Sequence, residues 1–144
     1  MNNTPDRPKM SIGDVYIMDF GGKGRGSEQC GLRPGVVFQN NLGNANSPNI
    51  IALPITSSVK KLHLPTHVFL PSADTCLLKD SSVICENPEC MSKERIGKYL
   101  GRLSPKYMKR IAEASILATS AISFLDKETL LQAWERAVRY NSIA

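Results

Sequence analysis

Along residues 13–20, GDVYIMDF, Val15 and Ile17 alternate with Tyr16, Met18 and Phe20, so both faces of an extended chain carry apolar side chains. β-Branched and aromatic residues at this density predict a strand buried on both sides. Residues 35–41 (GVVFQNN) predict a second strand, and the Asn, Gly, Ser and Pro cluster at 40–49 (NNLGNANSPN) predicts a turn or loop. A third strand is expected over residues 50–56 (IIALPIT), with Pro54 confining its second half to an edge, a bulge or the strand end, because proline cannot donate to a ladder. Residues 66–70 (THVFL) and 81–86 (SSVICE) supply two more. Short strands joined by turn-rich connections, with no helical period between them, predict a compact antiparallel sheet curled into a small barrel.

Beyond Gly101 the period changes from two to between three and four. Ser104 is placed to cap a helix that has Pro105 at its first position, and Met108, Ile111, Ser115, Ala118, Ile122 and Leu125 recur along one face. One long helix packed on the barrel is expected. Asp126 can cap a second, shorter helix whose stripe is Leu130, Leu131, Trp134, Ala137 and Val138. The predicted organisation is a flexible segment over 1–12, a barrel domain with its helix over 13–125, and an additional helix over 126–144 packed on that same domain.

At 144 residues, with 42% hydrophobic and 22% charged positions, the chain fits one globular domain and argues against wholesale disorder. No apolar run approaches the ~20 residues that cross a bilayer, and the first ten residues lack an apolar signal core. No membrane partner and a cytoplasmic location are therefore expected. The net charge is +5 and is concentrated. From residue 93 to residue 110 the bases Lys93, Arg95, Lys98, Arg102, Lys106, Lys109 and Arg110 face Glu94 alone, which makes either a solvated face or a surface for phosphates or an acidic partner.

Cys30, Cys76, Cys85 and Cys90 show no CxxC spacing, and Pro65 separates His63 from His67, so no metal site and no disulfide are expected. The notable local feature is RGSEQCGLRP, residues 25–34, which is too rich in charge and glycine for a minimal hairpin turn. Gly22, Gly26 and Gly31 would let such a loop approach a ligand closely.

The series GDVYIMDF, GSEQCGLRPGVVFQNN, ALPITS, LPTHV, LKDSSVICEN and GRLSPKYM resembles, in order, the MazF/PemK/Kid family of toxins from bacterial toxin–antitoxin systems, over about residues 13–124. The resemblance implies an SH3-like barrel with C-terminal helices and a homodimer. It also implies an endoribonuclease that cuts single-stranded RNA at short sequences with no metal or other cofactor. The implied regulator is a cognate antitoxin whose acidic C-terminal tail lies over the RNA site. Two other readings stay open: a CcdB-like toxin that binds a DNA topoisomerase without nuclease activity, and a catalytically inactive RNA-binding module.

By the same resemblance, Arg33 and Thr56 are the expected catalytic residues. Cleavage by the ribose 2′-hydroxyl builds charge on the phosphate oxygens and the leaving 5′-oxygen, and an always-charged guanidinium meets that need. Thr56 is a poor base, so its expected role is orientation and charge stabilisation, with Ser57 assisting. Ser27, Glu28 and Gln29 offer polar edges, Glu28 accepting from a base amino group or buttressing Arg33. Lys23, Arg25, Lys60 and Lys61 are expected on phosphates, and Leu64 and Pro65 along the RNA groove. After Glu86 the chain reads Asn87-Pro88-Glu89-Cys90 where relatives commonly carry Glu-Gln-x-Arg, a departure that touches RNA specificity more than chemistry.

Overall fold

Both-face apolar alternation produces an inner strand of the sheet, next to one of its edge strands. In the computed structural model, which describes residues 9–22, 30–58 and 64–142, strand β1 (Asp14–Asp19) buries Val15, Tyr16 and Met18. It pairs antiparallel with β2 (Leu32–Val37) on one side. On the other side it pairs with β7 (Ile96–Arg102), whose register slips twice. The β1–β2 ladder closes at Gly31, whose φ of +76° suits glycine, with Phe20 N–H donating to the Gly31 carbonyl at 3.0 Å.

Strand β3 (Asn49–Thr56) is the hub of the sheet. One edge pairs with β2, and the other pairs first with β6 (Glu89–Ser92), over Asn49 to Ala52, and then with β5 (Ser81–Ile84), over Ile55 and Thr56. Pro54 stands between those two partners, in register with Gly35. The proline expected at an edge, a bulge or the strand end thus lies inside the strand, at the gap in one ladder where no amide is required. Strand β4 (His67–Leu70) completes the order β4-β5-β3-β2-β1-β7, with β6 beside β3.

The fold is mainly antiparallel sheet with C-terminal helices, but the expected barrel is not closed. Among the described residues no ladder joins β4 to β7. Curvature instead divides the core in two. Val15, Val36, Leu53, Ile55 and Val83 pack with Tyr107 and Ile111 of α2 (Pro105–Leu117). On the other side Tyr16, Met18, Phe20, Ile50, Met91 and Ile96 form a separate cluster.

Three further segments differ from expectation. Residues 40–49 contain a short helix, α1 (Asn41–Asn46), because the Asn40 side chain accepts from Gly43 N–H at 2.8 Å and caps it. The single long helix ends at Leu117. There Thr119 Oγ1 accepts from Ala121 N–H, Ser123 Oγ donates to the Ser120 carbonyl, and a 3-10 turn (Ala121–Phe124) follows. Helix α3 (Lys127–Asn141) is capped by Asp126 as expected, its carboxylate accepting from Thr129 N–H at 2.7 Å. Its apolar stripe is not packed on the domain: α3 buries no residue, and Leu131, Trp134 and Val138 are at least half exposed.

Candidate active site

Arg33 and Thr56, 23 positions apart in sequence, are brought together by the β2–β3 register. Val37 faces Ala52, Val36 faces Leu53 and Gly35 faces Pro54. Continuing that register by two residues sets Arg33 opposite Thr56. Both line one cavity of about 490 Å3, together with Ser57.

Each of the two side chains is oriented from the backbone. Arg33 is half-buried and its Nε donates to the Cys30 carbonyl at 2.9 Å, which fixes the plane of the guanidinium. Thr56 Oγ1 accepts from Ser58 N–H at 3.1 Å as the chain turns out of β3. That bond occupies an acceptor site and leaves the hydroxyl hydrogen as a donor toward the cavity. Gly35, two residues from Arg33, is needed for close packing: a Cβ there would meet Met18 Sδ at 2.5 Å and Phe20 Cζ at 2.9 Å.

The far wall of the cavity was missed in the sequence. Cys76, Leu77, Leu78 and Lys79 line it, from the segment between the 3-10 turn Ser72–Asp74 and β5. Leu78 is 98% exposed, and Lys79 brings a second cation beside Arg33. An exposed Leu-Lys pair in a turn was the available signal. Tyr107 O–H and Lys106 Nζ both donate to Asp74 Oδ2, at 2.6 and 2.9 Å, tying this wall to α2. Those hydrogen bonds, Tyr107 first and then Lys106, hold the Asp74 carboxyl below its ordinary range. Burial pushes the Cys76 thiol up, which suits a wall residue rather than a nucleophile.

Several expected site residues are not brought to this cavity. Leu64, Pro65, Glu86 and Asn87 do not line it. Glu86 lies in the turn after β5, beyond the strand end remote from Ser82, the partner of Thr56. Glu86 instead bonds His67 Nε2 at 2.7 Å. Burial opposes ionisation of Glu86, but the His67 hydrogen bond leads the effects that hold its carboxyl below the ordinary range. The departing Pro88-Glu89-Cys90 segment leads into β6, where Glu89 and Cys90 pair with Ala52 and Ile51. Lys23, Arg25, Ser27, Glu28, Gln29, Lys60 and Lys61 lie outside the described residues.

The basic run is partly committed to structure. Arg102 Nε bonds the buried Asp14 at 2.7 Å, Lys93 Nζ donates to the Asn44 carbonyl, and Lys106 is bound to Asp74. All four cysteines are free thiols, and burial pushes that of Cys85 up to about 11. Among the described residues no group of three or more His, Cys, Asp or Glu could hold a metal ion, and no helix is long and apolar enough to cross a membrane.

The family model described as a PemK-like, MazF-like toxin of type II toxin–antitoxin systems matches residues 11–119. The chain is 40% identical over 105 residues to Endoribonuclease MazF of Staphylococcus saprophyticus, covering 73% of this chain and 87% of that protein. It is similar to a solved endoribonuclease in complex with its cognate antitoxin from a mycobacterial species, at 28% identity and a TM-score of 0.63, covering 76% of this chain and 93% of that one. MazF of Deinococcus radiodurans, at 20% identity and a TM-score of 0.63 over 81% of this chain and 97% of its own, shares the fold.

Proposed function

Because the chain belongs to the PemK-like, MazF-like toxins of type II toxin–antitoxin systems, we propose that it is an endoribonuclease whose reaction centre is the Arg33–Thr56 cavity. The substrate is single-stranded RNA, cut in the cytoplasm by a homodimer that a cognate antitoxin restrains. The observation that carries the reading is the placement of an oriented guanidinium across a strand pair from an oriented hydroxyl, in one cavity. The 40% identity to a MazF endoribonuclease and the likeness to an antitoxin-bound neighbour support it.

The chemistry follows from what each group offers. The substrate's 2′-hydroxyl attacks the adjacent phosphorus, the bond to the 5′-oxygen breaks, and the products carry a 2′,3′-cyclic phosphate and a 5′-hydroxyl. Arg33 meets the charge that builds on the non-bridging and leaving oxygens, where a fixed donor is worth more than a mobile one. Thr56 donates its hydroxyl hydrogen to a phosphate oxygen and sets the approach angle. Lys79 raises the local affinity for the phosphate. The nucleophile comes from the RNA itself, so the reaction asks neither a cofactor nor a nucleophilic side chain of the protein.

The test is incubation of the purified protein with a long RNA of known sequence, mapping the new 5′ ends. Cuts at a short recurring sequence, with 5′-hydroxyl ends, are expected. Replacing the 2′-hydroxyl by hydrogen at the cleaved nucleotide should abolish cutting while sparing binding. Cutting that survives this replacement, or that EDTA removes and a divalent ion restores, overturns the mechanism.

A further inference from the structure

A second cavity, of about 600 Å3, adjoins the first. The two share Ile17 and Leu32. Asp19 pairs with Leu32 across the β1–β2 ladder and Ile17 with Pro34, so these residues stand on one face at the strand ends. Leu32 is 76% exposed, an apolar ridge standing in solvent between the two openings. The strands that carry Asp19 and Arg33 are neighbours, ~4.8 Å apart. Because Ile17 and Leu32 line both openings, this ridge lies within reach of a nucleotide adjoining a phosphate held on Arg33.

The second cavity has a different chemistry. Its charged groups are Asp19, Glu94 and Arg95, two carboxylates against one guanidinium. In a protein of net charge +5, this is a local acidic spot beside a cationic one. A phosphate is repelled there, whereas an uncharged base with N–H donors is attracted, because an ionised carboxylate only accepts. Among the described residues no ion pair links these three groups, so their bonding capacity is not spent on one another. Two of them are held in place. Asp19 Oδ1 accepts from Gly21 N–H at 2.9 Å, and Ser92 Oγ accepts from Glu94 N–H at 3.2 Å, fixing the 3-10 turn (Lys93–Arg95) that presents Glu94 beside Arg95.

We propose that this cavity reads a guanine next to the cleaved bond, with Glu94 and Arg95 as the specificity-determining pair and Leu32 as the apolar rest for the base. The inference builds on the endoribonuclease reading and adds a base preference to it. Guanine alone among the four bases presents two adjacent N–H donors, N1–H and N2–H, beside an acceptor, O6. One carboxylate accepts both donors, and a guanidinium donates to O6. Adenine and cytosine each offer a single amino donor next to an acceptor, and uracil places its one donor between two acceptors. Single-stranded RNA leaves this edge open for such contacts. Asp19, with one oxygen already on Gly21, supports the acidic character of the wall.

The experiment compares wild type with Glu94→Gln and Asp19→Asn on the long RNA, and measures binding to an uncleavable octamer, 2′-deoxy throughout, that carries either guanine or hypoxanthine. Wild type should require guanine at one fixed position within two nucleotides of the cut. Glu94→Gln, which presents an amide donor to guanine N–H groups, should lose about 10- to 100-fold in preference at that position alone and keep cutting. Hypoxanthine, which lacks the N2 amino group, should bind wild type more weakly and Glu94→Gln almost as well as guanine does. Cuts with no guanine at any fixed position, or a guanine requirement that Glu94→Gln leaves intact, overturn the proposal. A wild type that makes no cuts sinks the endoribonuclease reading instead, and the guanine-to-hypoxanthine binding ratio then still decides whether the cavity reads guanine.

Discussion

Gly35→Ala tests whether the packing beneath Arg33 is as tight as the structure shows. The new methyl would lie 2.5 Å from Met18 Sδ and 2.9 Å from Phe20 Cζ, over 0.5 Å inside ordinary contact. Neither neighbour can swing into water, since Met18 is 0% and Phe20 5% exposed. Overpacking of this kind costs ~1–3 kcal/mol. Against it, loss of glycine's freedom in the unfolded chain returns ~0.4–1 kcal/mol, because the φ of Gly35 is not positive and alanine tolerates the backbone. A net loss of ~1.5 kcal/mol is expected, about 3–6 °C in the unfolding midpoint. The displaced strand also carries Arg33, so cleavage should fall further than stability, with ~1 Å of misplacement costing about a hundredfold. Urea denaturation and initial cleavage rates on one RNA read both effects. Shortening Met18 to alanine in the same chain should relieve the clash, so that the double variant is more stable than the sum of the single losses predicts. A Gly35→Ala protein within ~0.5 kcal/mol of wild type, with strictly additive behaviour alongside Met18→Ala, would refute the reasoning.

Arg33→Ala should lower the cleavage rate by ~10²–10³-fold and Thr56→Ala by a comparable or smaller factor, each with an unchanged unfolding midpoint. Lys79→Ala should chiefly weaken binding and flatten its salt dependence, by ~0.7 in the log–log slope on single strands. Ending the chain after Leu125 should leave both the unfolding midpoint of the sheet domain and cleavage unchanged, since no residue of α3 is buried; a lower midpoint would show that α3 contributes a stabilising contact. Asp74 has its carboxyl depressed, so it adds stability above its ordinary value of 3.8 that disappears as pH falls below it. Tyr107→Phe, which removes the leading cause of that depression, should flatten the acid limb of a midpoint-against-pH curve.

The strands with apolar runs were legible because burial on both faces leaves a plain mark: residues 14–19, 49–56, 67–70 and 81–84 were all foreseen within two positions. Strands β6 and β7 were not. Ile96-Gly97-Lys98-Tyr99 faces water for most of its length and reads as charge rather than as alternation. Its pairing with β1 is set by tertiary contact, not by propensity. Asn41–Asn46 hid a helix behind turn-forming residues because the deciding event is one side-chain cap from Asn40. Arg33 and Thr56 were legible only through a motif resemblance. Their meeting depends on strand register, and so does the second wall around Lys79, which no local pattern ties to either.

Strand β3 is hydrogen-bonded along both edges, and Thr56 is its last residue. Amides near its centre can exchange with deuterium only when the whole sheet opens, whereas those of α3, lying on an exposed helix, can exchange by fraying. The hydroxyl proposed to act in cleavage thus sits at the end of the strand expected to exchange most slowly. A protease that trims the C-terminal helix should leave this strand and its pairings in place, since no residue of α3 is buried. For a member of a toxin family this leaves no internal safety in the strand itself, so the restraint proposed above for a cognate antitoxin would have to be applied from outside the chain.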